Sequence, residues 1–305
     1  SAFDWSKSYV AGTIGYVAPG DTAFTEVRDK FGVLGRKQQQ GLMLSAEYGR
    51  LIDARYDWRL TLRGVGVPDH VVDATDNWGT SAGVTRLGYQ TLDGEIGRRI
   101  QVSDPLALRA FAGLRAIHTY ERVEEIVQGS SNLSQAAAVQ SWGIGPRAGV
   151  EFSYRLGSQP VFLTGGVDAS VLFGRAEQTT TFVDLDTPMS GSLSSSAPST
   201  IYTLGGRVGV TWFASPQTSV TVGYQAEQLW NLRKAYSGLV AFNDLGPLDG
   251  RGDNLVHGPF ARVAVHFGGA AKPLGMSPAS NAPATQSWAG LKIGDVDPRE
   301  VRDHC

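Results

Sequence analysis

The stretch SWGIGPRAGVEFSY, residues 141–154, decides the fold class. Successive side chains of a β-strand point to opposite faces, so parity sorts the stretch into two surfaces. Trp142, Ile144, Ala148, Val150, Phe152 and Tyr154 fall on one face. Gly143, Gly145, Arg147, Gly149, Glu151 and Ser153 fall on the other, with Arg155 following. One face is apolar and bounded by aromatic residues; the other carries charge and glycine.

The same division recurs along the chain. Tyr56, Trp58, Leu60 and Leu62 oppose Arg55, Asp57, Arg59, Thr61 and Arg63. Tyr202, Leu204, Val208, Val210 and Trp212 oppose Thr203, Arg207 and Thr211, and Val220, Val222, Tyr224 and Ala226 oppose Thr221, Gly223, Gln225 and Glu227. These runs last about 11–16 residues, against about 5–6 for a soluble strand and about 9–11 for a tilted strand that spans a bilayer. Tyr56, Trp58, Trp142, Tyr154, Tyr202, Trp212 and Tyr224 form the expected lipid-facing girdle, because Trp and Tyr prefer the membrane–water boundary.

Composition agrees without deciding. Charged residues are 18% of the 305, below the roughly 25% of soluble domains, and glycine reaches 38. The mean hydropathy of -0.14 resembles a soluble protein, but a barrel turns only alternate residues to lipid. No apolar run is long enough for a membrane helix, which takes about 18 residues or more. A net charge of -2 gives no reason to expect a nucleic-acid partner. No secretory leader begins at Ser1, which suits a mature form, and the one cysteine, Cys305, forms no internal disulfide.

Connections carry a second regularity. Short links at 52–54, 103–105, 157–160 and 215–217 alternate with long polar ones at 19–40, 67–79, 123–139, 179–199 and 233–254. Alternating short turns and long loops is the pattern of an outer-membrane barrel, with the short turns periplasmic and the long loops extracellular. The fold class is therefore an all-β, up-and-down antiparallel transmembrane barrel of about ten strands, with eight or twelve open as alternatives. The strands fall near 9–18, 41–51, 55–66, 80–100, 106–122, 140–155, 160–178, 200–214, 217–232 and 255–267. An even number places both termini on the periplasmic side.

A family resemblance rests on particular stretches. SWGIGPRAGVEFSY (141–154), LTGGVDASVLFGR (163–175) and LVHGPFARVAVHF (255–267) resemble the pore-forming outer-membrane proteins related to the major outer-membrane protein of Legionella. LRAFAGLRAIHTYE (108–121) and VTVGYQAEQLWN (220–231) fit the same pattern, so the likeness covers most of residues 90–267. Gly143–Arg147 and His257–Phe260 are its most specific pieces. The resemblance implies a pore and names no solute.

The barrel domain is expected over 1–267, because outer-membrane barrels commonly end at an aromatic residue and Phe267 has that place. Residues 268–305 continue as a Pro/Ala/Ser-rich linker and a short periplasmic segment. That segment is read either as a plain tail or as a docking element, anchored by Trp288, Leu291 and Ile293, for a periplasmic partner or for the lumen. The other expected partners are outer-membrane lipid and the barrel assembly machinery during biogenesis.

Charge belongs in the lumen, since Arg at the lipid midplane costs about 2–4 kcal/mol. Parity turns inward Arg59, Arg63, Asp93, Glu95, Arg99, Arg109, Arg115, Arg147, Glu151, Arg155, Asp168, Arg207, Glu227 and Arg262. A ten-strand wall encloses a backbone diameter of roughly 20 Å, most of it taken up by side chains. Two readings stand. The arginine surplus lines a narrow, anion-favouring pore that passes small polar solutes. Alternatively, ion pairs fill the lumen, and a closed structural or surface-interaction barrel acts through its loops or tail.

Enzyme chemistry is not expected. None of His70, His118, His257, His266 and His304 sits in a nucleophile motif, and no metal-ligand or phosphate-loop spacing appears. No cofactor is expected. Arg251-Gly252-Asp253 spells an adhesion tripeptide that a Gly/Asp-rich turn produces by chance.

Overall fold

A computed structural model describes residues 7–19, 28–29, 32–33, 40–76, 79–129, 132–233 and 251–267. The strands are β1 (Ser8–Pro19), β2 (Arg28–Asp29), β3 (Gly32–Val33), β4 (Gly41–Leu51), β5 (Tyr56–Asp76), β6 (Gly79–Gln101), β7 (Leu106–Gly129), β8 (Leu133–Arg155), β9 (Val161–Asp184), β10 (Ser190–Phe213), β11 (Thr218–Arg233) and β12 (Arg251–His266). β2 and β3 form a separate two-residue ladder. The other ten make one closed barrel in which each strand pairs with its sequence neighbours, and β1 pairs with both β4 and β12. Every pairing is antiparallel.

Closure satisfies the hydrogen bonds that an open edge would leave bare in hydrocarbon, where each unpaired backbone group costs several kcal/mol. It also gives the wall two surfaces, and the residues obey the expected parity. Trp142, Ile144 and Val150 are exposed on the outer wall, whereas Glu151 and Ser153 are buried in the lumen. Ile14, Leu44, Leu62, Leu114, Val208 and Val222 add to the same apolar exterior. Tyr56, Trp142, Tyr154, Tyr202, Trp212 and Tyr224 of the expected girdle are exposed on the outer wall; Trp58 is half-buried, its ring edge-on to Tyr48 at 5.2 Å.

The structure departs from the expected loops. Residues 67–79, 123–139 and 179–199 read as polar connections, yet most of each continues a strand. β9 and β10 pair without interruption from Ser190↔Val183 to Trp212↔Val161. Alternation fails as a signal there because polar residues occupy both faces, as in Gln178, Thr179, Thr180 and Thr181. β-Branched threonines still favour the extended chain.

The barrel is consequently uneven in height. β5 to β10 run 21–24 residues, which at about 3.3 Å per residue and a tilt near 40° spans about 50–60 Å. β1 and β4, with 12 and 11 residues, span only about 30 Å, close to a bilayer core. A six-strand wall therefore rises on the side away from the short turns.

Those turns are tight. Asp53 Oδ1 accepts the backbone N–H groups of Arg55 (2.6 Å) and Tyr56 (2.7 Å), which fastens the β4–β5 turn. These bonds favour the carboxylate and hold Asp53 below the ordinary aspartate range. A depressed pKa means that the turn is supported above the unfolded value of about 3.9 and loses that support as pH falls through the folded one. NMR titration of the Asp53 carboxyl is expected to give a midpoint below about 3.9. Val208→Arg, on the lipid face, is expected to lower stability by about 2–4 kcal/mol in bilayer unfolding, and Ser194→Arg, on the exposed rim, by almost nothing.

Candidate functional site

The lumen is built in levels. Nearest the short turns, the inner wall carries Phe162, Phe213, Ser219 and His266, with Tyr9 leaning its ring across Gly49. A Cβ at Gly49 would lie 2.2 Å from that ring, so the close approach needs glycine. Next comes a belt of arginines and carboxylates. Beyond it, toward the tall rim, lies an apolar level that includes Val17, Met43, Val65, Val67, Leu87, Ile117, Leu172, Ile201, Leu229 and Val256, all buried.

A buried charge is tolerated only when it is paired and its remaining hydrogen-bonding groups are met. Glu95 accepts from Arg59 Nε at 2.8 Å and Arg109 Nη1 at 2.6 Å, and its second oxygen accepts from Arg147. Glu151 receives Arg59 Nη2 at 2.8 Å, Arg109 Nη1 at 3.3 Å, and Arg207. Asp93 takes a two-pronged contact from Arg115, 2.7 and 2.9 Å. Arg147 Nε donates to Asp168 at 3.0 Å. The rings of the belt join it too: the Arg59, Arg109 and Arg147 guanidinium carbons lie 5.8, 5.2 and 4.8 Å from the centre of the Phe111 ring.

Several of these contacts cross the lumen instead of running along the wall. Arg115 on β7 donates Nη1 to Glu227 on β11 at 2.9 Å, and Arg63 on β5 donates to the same carboxylate at 2.7 and 2.8 Å. In the sheet order, β8, β9 and β10 separate β7 from β11, while β4, β1 and β12 separate β5 from it. Glu227 thus ties distant parts of the wall together. Tyr89 completes its shell, donating Oη to it at 2.8 Å.

Of the residues expected to point inward, the structure draws Arg59, Arg63, Asp93, Glu95, Arg109, Arg115, Arg147, Glu151, Asp168, Arg207, Glu227 and Arg262 into this belt. Arg99 joins through Asp57, its Nε 2.7 Å away. Arg155 lies further toward the turns, its guanidinium carbon 5.9 Å from the Phe162 ring centre. Trp288, Leu291 and Ile293 lie outside the described residues.

Two acids join the belt that are not among the inward charges expected from sequence. Asp57 anchors Arg109 through Nε (2.9 Å) and Nη2 (2.5 Å) as well as Arg99, and Glu47 accepts from Arg262 Nη2 at 2.8 Å and Tyr9 Oη at 2.7 Å. Both were legible by parity: Asp57 shares a face with Arg59 and Arg63, and Glu47 with Met43 and Ser45. Gly97 makes room for the flat Arg109 guanidinium, since a Cβ there would come within 2.3 Å of its Nε.

Three of the histidines have described surroundings. His118 is exposed on the outer wall, His257 hydrogen-bonds the outer-wall Tyr224, and His266 stacks 5.3 Å from Tyr9 at the turn end. Arg251-Gly252-Asp253 opens β12, with Asp253 taking the Asn231 N–H at 3.3 Å.

Against known families, residues 68–267 match the family described as Legionella pneumophila major outer membrane protein precursor. The chain belongs to this family. Its members are outer-membrane proteins, and the closed barrel with an apolar exterior is the form that membrane requires. Among solved structures, the chain is similar to the outer membrane protease OmpT from Escherichia coli, at 13% identity and a TM-score of 0.48 over 88% of this chain and 99% of that one. It is also similar to the Ralstonia pickettii toluene transporter TbuX, at 10% identity and 0.38 over 87% and 90%, and to Ail, the attachment invasion locus protein of Yersinia pestis, at 12% and 0.24 over 85% and 99%. At these levels the likeness is one of barrel architecture. No curated protein matches the sequence.

Removing one partner from the belt leaves the others uncompensated. Glu151→Gln is expected to lower unfolding free energy by about 3–5 kcal/mol. Glu124→Gln, which breaks the exposed Arg122–Glu124 pair on the rim, is expected to cost about 0–1 kcal/mol in the same denaturant titration.

Proposed function

We propose that this outer-membrane protein is closed at rest, and that it serves as a structural and surface-interaction barrel instead of an open diffusion channel. The observation that carries the reading is the pairing of the belt. Glu47, Asp57, Asp93, Glu95, Glu151, Asp168 and Glu227 each hold at least one arginine, and the Glu227 contacts brace the lumen from side to side. Hydrated ions need a path lined by groups free to exchange water, and guanidinium and carboxylate groups held in ion pairs across the lumen offer few. The apolar level beyond the belt adds a second barrier, since an apolar constriction excludes water.

The tall wall supports a role at the surface. Its β9–β10 hairpin carries exposed Ser192, Ser194, Ser195 and Ser196 well past the apolar band. In this reading the short turns and both termini are periplasmic and the tall rim is extracellular. Membrane lipid contacts the girdle, the assembly machinery is a transient partner, and Trp288, Leu291 and Ile293 anchor a periplasmic contact. The role is not enzymatic and takes no cofactor.

A narrow pore for small polar or anionic solutes is the second reading. It is favoured by cavities of about 90 and 140 Å³ on the two sides of the belt, which a rearrangement of a few arginines would join. Then Arg59, Arg63, Glu95, Arg109, Arg115, Arg147, Glu151, Arg155, Asp168, Arg207, Glu227 and Arg262 would be pore-lining.

Planar-bilayer recording separates the two. The refolded chain is expected to give no discrete steps, and Arg115→Ala combined with Glu227→Ala is expected to produce them. Regular, anion-preferring steps from the unaltered protein would overturn the closed reading.

A further inference from the structure

The cavities on the two sides of the belt differ in charge. The one toward the tall rim is nearly balanced, six arginines facing five carboxylates. The one toward the turns is lined by Arg59, Arg99, Arg109, Arg207 and Arg262 but only by Asp57 and Glu151 among acids. Its wall includes Tyr9, Phe162, Phe213, Ser219 and His266, at or near the turn-side ends of their strands, so it lies at the aqueous mouth of that end.

Donors converge on this space without a full set of acceptors. Arg207 has Glu151 as its hydrogen-bond partner among the described residues, and its side chain stays 42% exposed while the other belt arginines are at most 19%. Arg262 commits Nη2 to Glu47, and its buried Nε meets no acceptor among the described residues. Ser153 is 3% exposed, and its Oγ also lacks a partner among the described residues. On the same stretch of wall as Arg207, Thr164 of β9, Thr211 of β10 and Thr221 of β11 link their hydroxyls at 3.0 and 2.8 Å.

We propose that this turn-side cavity binds a small free oxoanion of the phosphate type. The volume of about 140 Å³ is several times the roughly 30 Å³ share of a water molecule, enough for one tetrahedral oxoanion with a little solvent. Guanidinium forks and hydroxyls are the donors that such an oxygen-rich anion takes up. Lipid headgroups are disfavoured because the closed wall leaves only the aqueous mouth as entrance. The inference goes beyond the closed-barrel reading and holds whether or not the lumen conducts.

Inorganic phosphate is the probe, followed by its ³¹P line width as refolded full-length protein in neutral-detergent micelles is titrated in. Saturable binding is expected, displaced by sulfate and weakened about tenfold or more in the double variant Arg207→Gln/Arg262→Gln. Circular dichroism of each variant confirms the barrel. Arg175→Gln, exposed and bonded to Ser196 far from the cavity, is expected to leave binding unchanged. No saturable binding, or an equal loss in Arg175→Gln, would overturn the site. Displacement by phosphatidylglycerol but not by sulfate would overturn the free anion in favour of a lipid headgroup.

Discussion

Pairing between arginine and carboxylate across the lumen is the constraint on which the rest of the structure depends. A barrel wall must put its apolar side chains outward, which leaves the inner wall to polar groups. Ten strands enclose too little space to hydrate many separate charges. Each charge must then find a protein partner or stay out. Glu227 shows the solution most fully: Arg63, Arg115 and Tyr89 approach it from three other strands. Asp57, Glu95 and Glu151 form a second knot through Arg59 and Arg109.

Much of this was legible from parity. Trp142, Ile144 and Val150 against Arg147 and Glu151 already distinguish outside from inside, and the outer wall and the belt follow that division. What parity could not supply was the apolar level. In Ser170-Val171-Leu172-Phe173, apolar residues fall on both faces, and an apolar side chain reads as lipid-facing by default. Leu172 is nonetheless wholly buried, whereas Phe173 is 57% exposed. The rim was illegible for the opposite reason: with water on both faces, Thr179–Thr181 and Ser194–Ser196 lose the contrast that marks a strand.

Glu47 and Asp57 add two carboxylates to the inward charges expected from sequence, so the lumen is less positive than an open anion pore would require. With both acids placed, Arg99 pairs with Asp57 and Arg262 with Glu47, and the surplus shrinks to a turn-side excess in which Arg207 is the most exposed guanidinium of the belt. Family membership fits either a channel or a closed barrel, because a fold carries function only through the groups grafted on it. The distinction lies in how firmly the belt is tied.

A double-mutant cycle on Arg115 and Glu227, read as unfolding free energy in lipid vesicles, tests that tie directly. If the pair braces the lumen, Arg115→Met and Glu227→Leu are each strongly destabilising, and the combined variant recovers a large part, a coupling of about 1–3 kcal/mol. Losses that simply add, within about 0.5 kcal/mol, would show that the two side chains act independently and that the cross-lumen brace does not exist.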